Sequence, residues 1–239
     1  VTATFGLGLA SGGTASVVDP AQPLSYLATF DNLALGPLDL VGRSVSLGGL
    51  VYRLPEEESN PERQAVMNVL NTPVLSMGEN IRALERAFCG FTGAKYAIGV
   101  NSGTAGLHLC VRAAGIGPGD LVITTPFSFV ASTNALLFEQ AIPIFVDADP
   151  LTGNIDPQLV AEVATTPEKF LPRRPRHDSR SPTLKAIPPV DVFGQPAEMD
   201  PINAVAKERG LIVIEDSCEA LGASYQGRLA GTLGEYGVF

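Results

Sequence analysis

Four short stretches of this 239-residue chain carry side chains that could do chemistry together. Ser102-Gly103-Thr104 stands between strand-like Ile98–Val100 and a run in which Leu107, Cys110, Val111 and Ala114 recur at helical spacing. A helix starting there aims unpaired N–H groups and the positive end of its dipole at one spot. Such a spot suits an anion, phosphate above all; Gly103 admits it close to the backbone, and Ser102 and Thr104 add hydroxyls. Phe127-Ser128-Phe129 offers an aromatic side chain that could stack on a flat ring. Asp191-Val192-Phe193-Gly194-Gln195-Pro196 follows one apolar run, and Glu215-Asp216-Ser217-Cys218-Glu219 ends another with an acidic pair. Singly, each has a plain structural reading: a capped junction, a core aromatic, a turn residue. Together they are the parts of a site for a planar, phosphorylated cofactor with a basic ring nitrogen. Pyridoxal 5'-phosphate fits, because a carboxylate at its nitrogen keeps the ring protonated and able to accept electrons.

The elements that must position these residues alternate regularly. Ser59-Asn60-Pro61-Glu62 is a capping-box pattern that opens a helix with Ala65, Val66, Val69 and Leu70 on one face. Ser76-Met77-Gly78-Glu79 repeats the pattern before Ile81, Leu84, Ala87, Phe88 and Phe91, and Thr92-Gly93 closes that helix. Strands are expected at Tyr96–Val100, Leu121–Thr124, Ile142–Val146, Lys185–Val190 and Leu211–Ile214. Helices are expected from Thr104, after Phe129 to about Gln140, after Asp156-Pro157, and over Pro201–Arg209. This alternation implies an α/β fold of three αβα layers with a mainly parallel sheet, and ligands in such sheets sit at the carboxyl ends of the strands. All four stretches fall there.

Residues 1–54 show no sustained helical period, and short strands or an extension are both compatible with them. The boundary to the αβα domain is placed at residues 54 and 55. Thr165–Pro182, with four prolines and Arg173, Arg174, Arg176 and Arg180, reads as a surface insertion. It is either a solvated loop or a clamp for a phosphorylated substrate.

Composition narrows the partners. A formal net charge of −9 argues against nucleic acid or an anionic membrane. Three cysteines and two histidines form no metal-ligand spacing, so no metal site is expected. The cysteine usage fits a reducing, cytoplasmic setting, and no run reaches the roughly 18 apolar residues of a membrane span.

Four motifs, in this order, resemble the DegT/StrS family of sugar-nucleotide aminotransferases: Asn101-Ser102-Gly103-Thr104-Ala105, Phe127-Ser128-Phe129-Val130-Ala131-Ser132, Phe193 to Asp200 and Ile214 to Ala223. The resemblance runs from about Pro73 to Phe239. It implies the large domain of a fold-type I pyridoxal-phosphate enzyme, a homodimer, and transfer of an amino group, usually from glutamate, to a keto group of a nucleotide-linked sugar in polysaccharide biosynthesis. Carried over by position, Ser102, Gly103 and Thr104 would hold the phosphate and Asp216 the ring nitrogen. Phe129 would stack on the ring, with Phe127 the alternative, and Glu219 would stand near the cofactor hydroxyl. Ser76-Met77-Gly78 resembles a loop that approaches substrate.

The resemblance also calls for a lysine that forms the Schiff base and carries the proton. Lys95, Lys169, Lys185 and Lys207 are the only lysines, and none stands at the matching place. That place is expected beyond Phe239, which makes this chain an N-terminal fragment without transaminase activity of its own. A sugar dehydratase of the same family, with histidine at that place, is the alternative. So is a catalytically inactive binding or dimerisation protein. A nicotinamide-dependent dehydrogenase is disfavoured by the lack of G-x-G-x-x-G after the first strand.

Overall fold

Strand β5 (Leu121–Thr124) is buried along its whole length, as a strand must be when helices cover both faces of a sheet. A computed structural model describes residues 61–170 and 182–239, together with four strands that precede them. The chain divides into two compact units, Val1–Ser76 and Met77–Phe239. In the first, β1 (Thr14–Asp19) pairs with β2 (Gln22–Thr29), and β3 (Ser44–Leu47) with β4 (Leu50–Arg53), as two antiparallel hairpins. They are followed by α1 (Pro61–Leu70). The apolar face expected of α1 is not covered: Val66 and Leu70 are exposed, and no residue of this helix is buried.

The second unit is the expected αβα fold. Its sheet runs β11–β8–β7–β5–β6, with every pairing parallel. Here β6 is Ile142–Phe145, β7 Leu184–Ile187, β8 Ile212–Asp216 and β11 Tyr236–Val238. A small hairpin, β9 (Ser224–Tyr225) with β10 (Arg228–Leu229), lies between β8 and β11. Side chains alternate across each strand. On one face Val122, Ala186, Ile214 and Val238 pack against α3 (Gly103–Ala113) and α4 (Ala131–Phe138) through Leu107, Val111, Ala135 and Leu136. On the other, Leu121, Ile123, Ile187 and Val213 meet α5 (Pro157–Thr165) and α6 (Met199–Arg209) through Val160, Val163, Met199 and Ile202. Each such fully buried aliphatic side chain contributes roughly 1.5–3 kcal/mol, so the two helical layers hold the sheet from both sides.

The caps read from the sequence are mostly where they should be. Asp156 Oδ1 accepts the N–H groups of Gln158 (2.7 Å) and Leu159 (3.4 Å) ahead of Pro157. Gly93, at φ +74°, ends α2 (Glu79–Thr92) in a left-handed conformation that a side chain would strain. Three expectations need correction. The N-cap of α2 is Gly78, not Ser76, and it makes no side-chain cap bond. The inward face of α2 is Ile81, Glu85, Phe88, Cys89 and Thr92, whereas Leu84 and Phe91 are more than half exposed. Tyr96–Val100 is not a strand. Tyr96 and Ile98 are exposed, and the segment is held from α2, by Glu85 Oε1 accepting from Gly99 N at 2.9 Å. Strand residues need a hydrogen-bonded neighbour, and none of the five strands pairs with this segment.

Of the insertion, residue 165 ends α5 and Pro167–Phe170 form one turn of 3-10 helix. Its four arginines lie outside the described residues. Among the described residues no helix is long and apolar enough to cross a membrane.

Candidate functional site

Asp216 is the last residue of β8 and 6% exposed. The main chain of residues 189–191 braces it: Asp216 N donates to Pro189 O (2.9 Å) and Asp191 N to Asp216 O (3.0 Å). Strand alternation turns its side chain to the same face as Ile214, toward α3 and α4. There Oδ2 accepts from Ser132 Oγ at 2.5 Å and Oδ1 from Cys218 N at 3.4 Å, and the Cys218 thiol also hydrogen-bonds the carboxylate. An ionised carboxyl has about four acceptor positions, and Ser132 and Cys218 do not fill them all, which leaves room for a further donor. No cation pairs with Asp216 among the described residues. A buried carboxylate without a positive partner is costly, and a protonated ring nitrogen would relieve that cost.

The N-terminus of α3 lies beside it. Ser102 caps the helix, its Oγ accepting Ala105 N at 3.2 Å. The N–H groups of Gly103 and Thr104 donate to nothing among the described residues. A side chain at Gly103 would put its Cβ 2.5 Å from Cys218 Sγ, two residues after Asp216. Only glycine allows the helix end to sit this close to the turn after β8. The Cys218 thiol is pushed up to about 12, by burial first and then by the negative charge of Asp216. It is therefore a neutral neighbour of the site, not a thiolate. Thr124, at the carboxyl end of β5 and on the Val122 face, has a fully buried Oγ1 with no partner.

Phe129 precedes α4 and is 78% exposed. Its carbonyl lies 3.2 Å from Ser132 Oγ, which links it to Asp216. Phe127 instead packs edge-on against Phe193, with ring centres 6.0 Å apart. Glu219 Oε2 accepts Phe193 N at 2.9 Å, so one of its oxygens already serves the protein. Ser102, Gly103, Thr104, Phe129, Asp216 and Glu219 thus share one end of the sheet, joined through Cys218, Ser132 and Phe193. Met77, beside Gly78 at the start of α2, is 75% exposed with φ +53°. Of the lysines, Lys185 is the second residue of β7 and Lys207 lies in the last turn of α6, both at the amino end of the sheet. Lys95 lies over the Tyr96 ring, and Lys169 is in the 3-10 turn.

Two residues of this edge lie in stretches the sequence singled out, but neither has a role assigned there. Ser132 had a signal: it stands four residues after Ser128, across the turn that leads into α4. Phe193 had none. It holds φ +55°, unusual for a bulky side chain, and its ring is 83% exposed. Its loop is fixed from several sides: Asn154 Oδ1 accepts Val192 N, Asn154 Nδ2 donates to Gln195 O, and Asp191 Oδ1 accepts Ala197 N. Strain of this kind persists only when the surroundings over-determine it.

The donor set suits an anion at α3, a cationic ring atom at Asp216, and a flat ring near Phe129, which is the outline of pyridoxal 5'-phosphate. Residues 56–239 match the DegT/DnrJ/EryC1/StrS aminotransferase family. The chain is 40% identical over 179 residues to the GDP-perosamine synthase of Caulobacter vibrioides, covering 74% of this chain and 44% of that protein. It is also 40% identical over 163 residues to the UDP-2-acetamido-2-deoxy-3-oxo-D-glucuronate aminotransferase of Pseudomonas aeruginosa, covering 68% and 41%. Among solved structures it is similar to the aminotransferase from Psychrobacter cryohalolentis, with a TM-score of 0.62 and 36% identity over 72% of this chain and 40% of that one. The chain spans less than half the length of the curated relatives it matches.

Proposed function

Since the chain belongs to the DegT/DnrJ/EryC1/StrS aminotransferase family, we propose that residues 55–239 are the cofactor-binding part of a cytoplasmic, homodimeric pyridoxal-phosphate aminotransferase acting on a nucleotide-linked keto-sugar, with glutamate as donor. The observation that carries the reading is Asp216: buried, without a cation among the described residues, and with acceptor capacity left on its carboxylate. When bound, the cofactor supplies a ring that stabilises negative charge at the substrate carbon.

The chain's own residues bind and orient it. The free N–H groups of Gly103 and Thr104, with the Thr104 hydroxyl, would take the phosphate at the positive end of α3. Asp216 would hold a proton on the ring nitrogen through Oδ1, and Phe129 would cover one face of the ring and exclude water from it. Glu219 has Oε1 left for the cofactor hydroxyl, since Oε2 is held by Phe193 N. The proton-carrying amine would come from outside residues 1–239, because the lysines described above lie away from this edge. The boundary at residues 54 and 55 and the role of Ser76-Met77-Gly78 as a substrate loop belong to the same proposal.

The test is transfer of labelled nitrogen from glutamate to a nucleotide keto-sugar by the full-length protein, followed by mass spectrometry. Transfer is expected, and Asp216→Ala should abolish it while leaving the fold intact. A wild-type rate in that variant would remove Asp216 from the mechanism. Loss of a hydroxyl without nitrogen transfer would instead mark a dehydratase. A stop codon directly after Phe239 in an expressed protein would leave a binding or dimerisation protein.

A further inference from the structure

Ser132 is 3% exposed, on the first turn of α4, and 84 residues away in sequence from the carboxylate it meets. Three oxygens surround its hydroxyl: Asp216 Oδ2 at 2.5 Å, Ser128 Oγ at 2.7 Å and Phe129 O at 3.2 Å. A serine hydroxyl has one proton to give. The charged, shorter acceptor takes it, so Ser132 donates to Asp216 and keeps its lone pairs for a donor. Ser128 is placed to be that donor, its Oγ being 2.7 Å from Ser132 Oγ against 3.1 Å from Phe129 O, and the proton order then runs from Ser128 to Ser132 to Asp216. Each link polarises the next.

From this geometry we propose that Ser132 is a positioning residue: it fixes the Asp216 carboxylate with Oδ2 turned to α4 and Oδ1 turned to the ligand. The proposal rests on the reading that Asp216 meets the ring nitrogen of the cofactor. Without Ser132, only Cys218, through its N–H at 3.4 Å and its thiol, still hydrogen-bonds the Asp216 side chain among the described residues. The carboxyl could then rotate and turn Oδ1 away from a cationic ring atom, which removes its preference for one. A helix-capping role does not explain the contact, because the N-cap of α4 is Val130 and makes no side-chain cap bond.

Binding can test this without turnover. The probes are pyridoxamine 5'-phosphate, which needs no covalent link, and its carbocyclic analogue with carbon in place of the ring nitrogen. The wild-type chain should bind the pyridine form more tightly. In Ser132→Ala that preference should fall about tenfold, as expected for loss of a charge-assisted hydrogen bond. Ser132→Thr keeps the hydroxyl and should restore the preference, and Ser128→Ala should lower it by a smaller factor. Thermal unfolding of each variant separates loss of fold from loss of positioning, and Ser128→Ala keeps the test open if Ser132→Ala does not fold. A Ser132→Ala chain that binds both probes more weakly by the same factor would overturn the proposal, because a structural role alone predicts that result. So would an unchanged preference. No preference in the wild-type chain would overturn both this proposal and the reading of Asp216 on which it rests.

Discussion

Glu215 and Asp216 are consecutive on β8, carry the same functional group and are both buried, yet they are used in opposite ways. Glu215 turns away from α3 and α4. Its two oxygens accept the main-chain N–H groups of Gly231 (2.9 Å), Leu233 and Gly234 (2.5 Å), which ties down the loop leading to β11. Asp216, on the other face, has one short donor, Ser132, and weaker contacts from Cys218, with acceptor capacity left over. The nearby Asp191 resembles Glu215: it accepts from Ser217 Oγ (2.6 Å) and Ala197 N (2.9 Å) and so fixes the loop that carries Phe193. A buried carboxylate with its acceptors filled by the protein is a fastening. One left partly unfilled at a strand end is a place for a ligand. This difference, not burial or charge, singles out Asp216.

The comparison can be broken by exchanging what the two carboxylates lose. Glu215→Ala orphans three N–H groups in a partly buried loop and should cost about 3 kcal/mol or more in urea unfolding. Asp216→Ala should cost about 1 kcal/mol or less, because removing a buried charge without a cation offsets the lost hydrogen bond. Equal costs would dissolve the distinction. Ser217→Ala, which takes a hydroxyl from Asp191, should cost about 1.5–3 kcal/mol on the same assay, as for other bonds to charged groups. On the ligand side, Thr104→Ala should weaken cofactor retention by about 1.5–3 kcal/mol, and unchanged affinity would place the phosphate elsewhere.

The acid dependence sharpens the same contrast. Burial raises both Asp191 and Glu215 above the ordinary carboxylate range, against the hydrogen bonds that lower them. The folded state therefore holds these protons more tightly than the unfolded chain. Their contribution to stability is fully present at low pH and is lost as pH climbs through the raised folded values. Glu215→Ala removes one such group, so its cost should be larger in acid than at neutral pH. A cost that grows with pH would contradict the assignment. The smallest effect is expected at Phe193→Gly: relief of the left-handed backbone, less the entropy of glycine, should give a gain of about 0.5 kcal/mol. A clear loss would mean that the ring packs as part of the core.

Much of this was legible in the sequence, for local reasons. Short apolar runs alternating with helical spacing give the parallel sheet, and Ser102, Gly93 and Asp156 announce their helix ends by chemistry that acts within a few residues. Asp216 is visible as an acid after an apolar strand. What was not legible depends on distant partners. Tyr96–Val100 has the pattern of a strand but lacks a neighbour to pair with. The period of α2 is apparent, yet which side is covered depends on the residue 97–99 segment and on Phe239, whose ring meets Phe88 edge-on at 5.0 Å. The link from Ser132 to Asp216 spans 84 residues, so only the first half of it, the Ser128 spacing, could be read along the chain.

The most direct test of the central claim is a crystal structure of the chain with pyridoxamine 5'-phosphate. The account predicts the phosphate at the N–H groups of Gly103 and Thr104, the ring nitrogen within hydrogen-bond reach of Asp216 Oδ1, and the Phe129 ring over the pyridine. A phosphate bound elsewhere, or a ring whose nitrogen points away from Asp216, would contradict it.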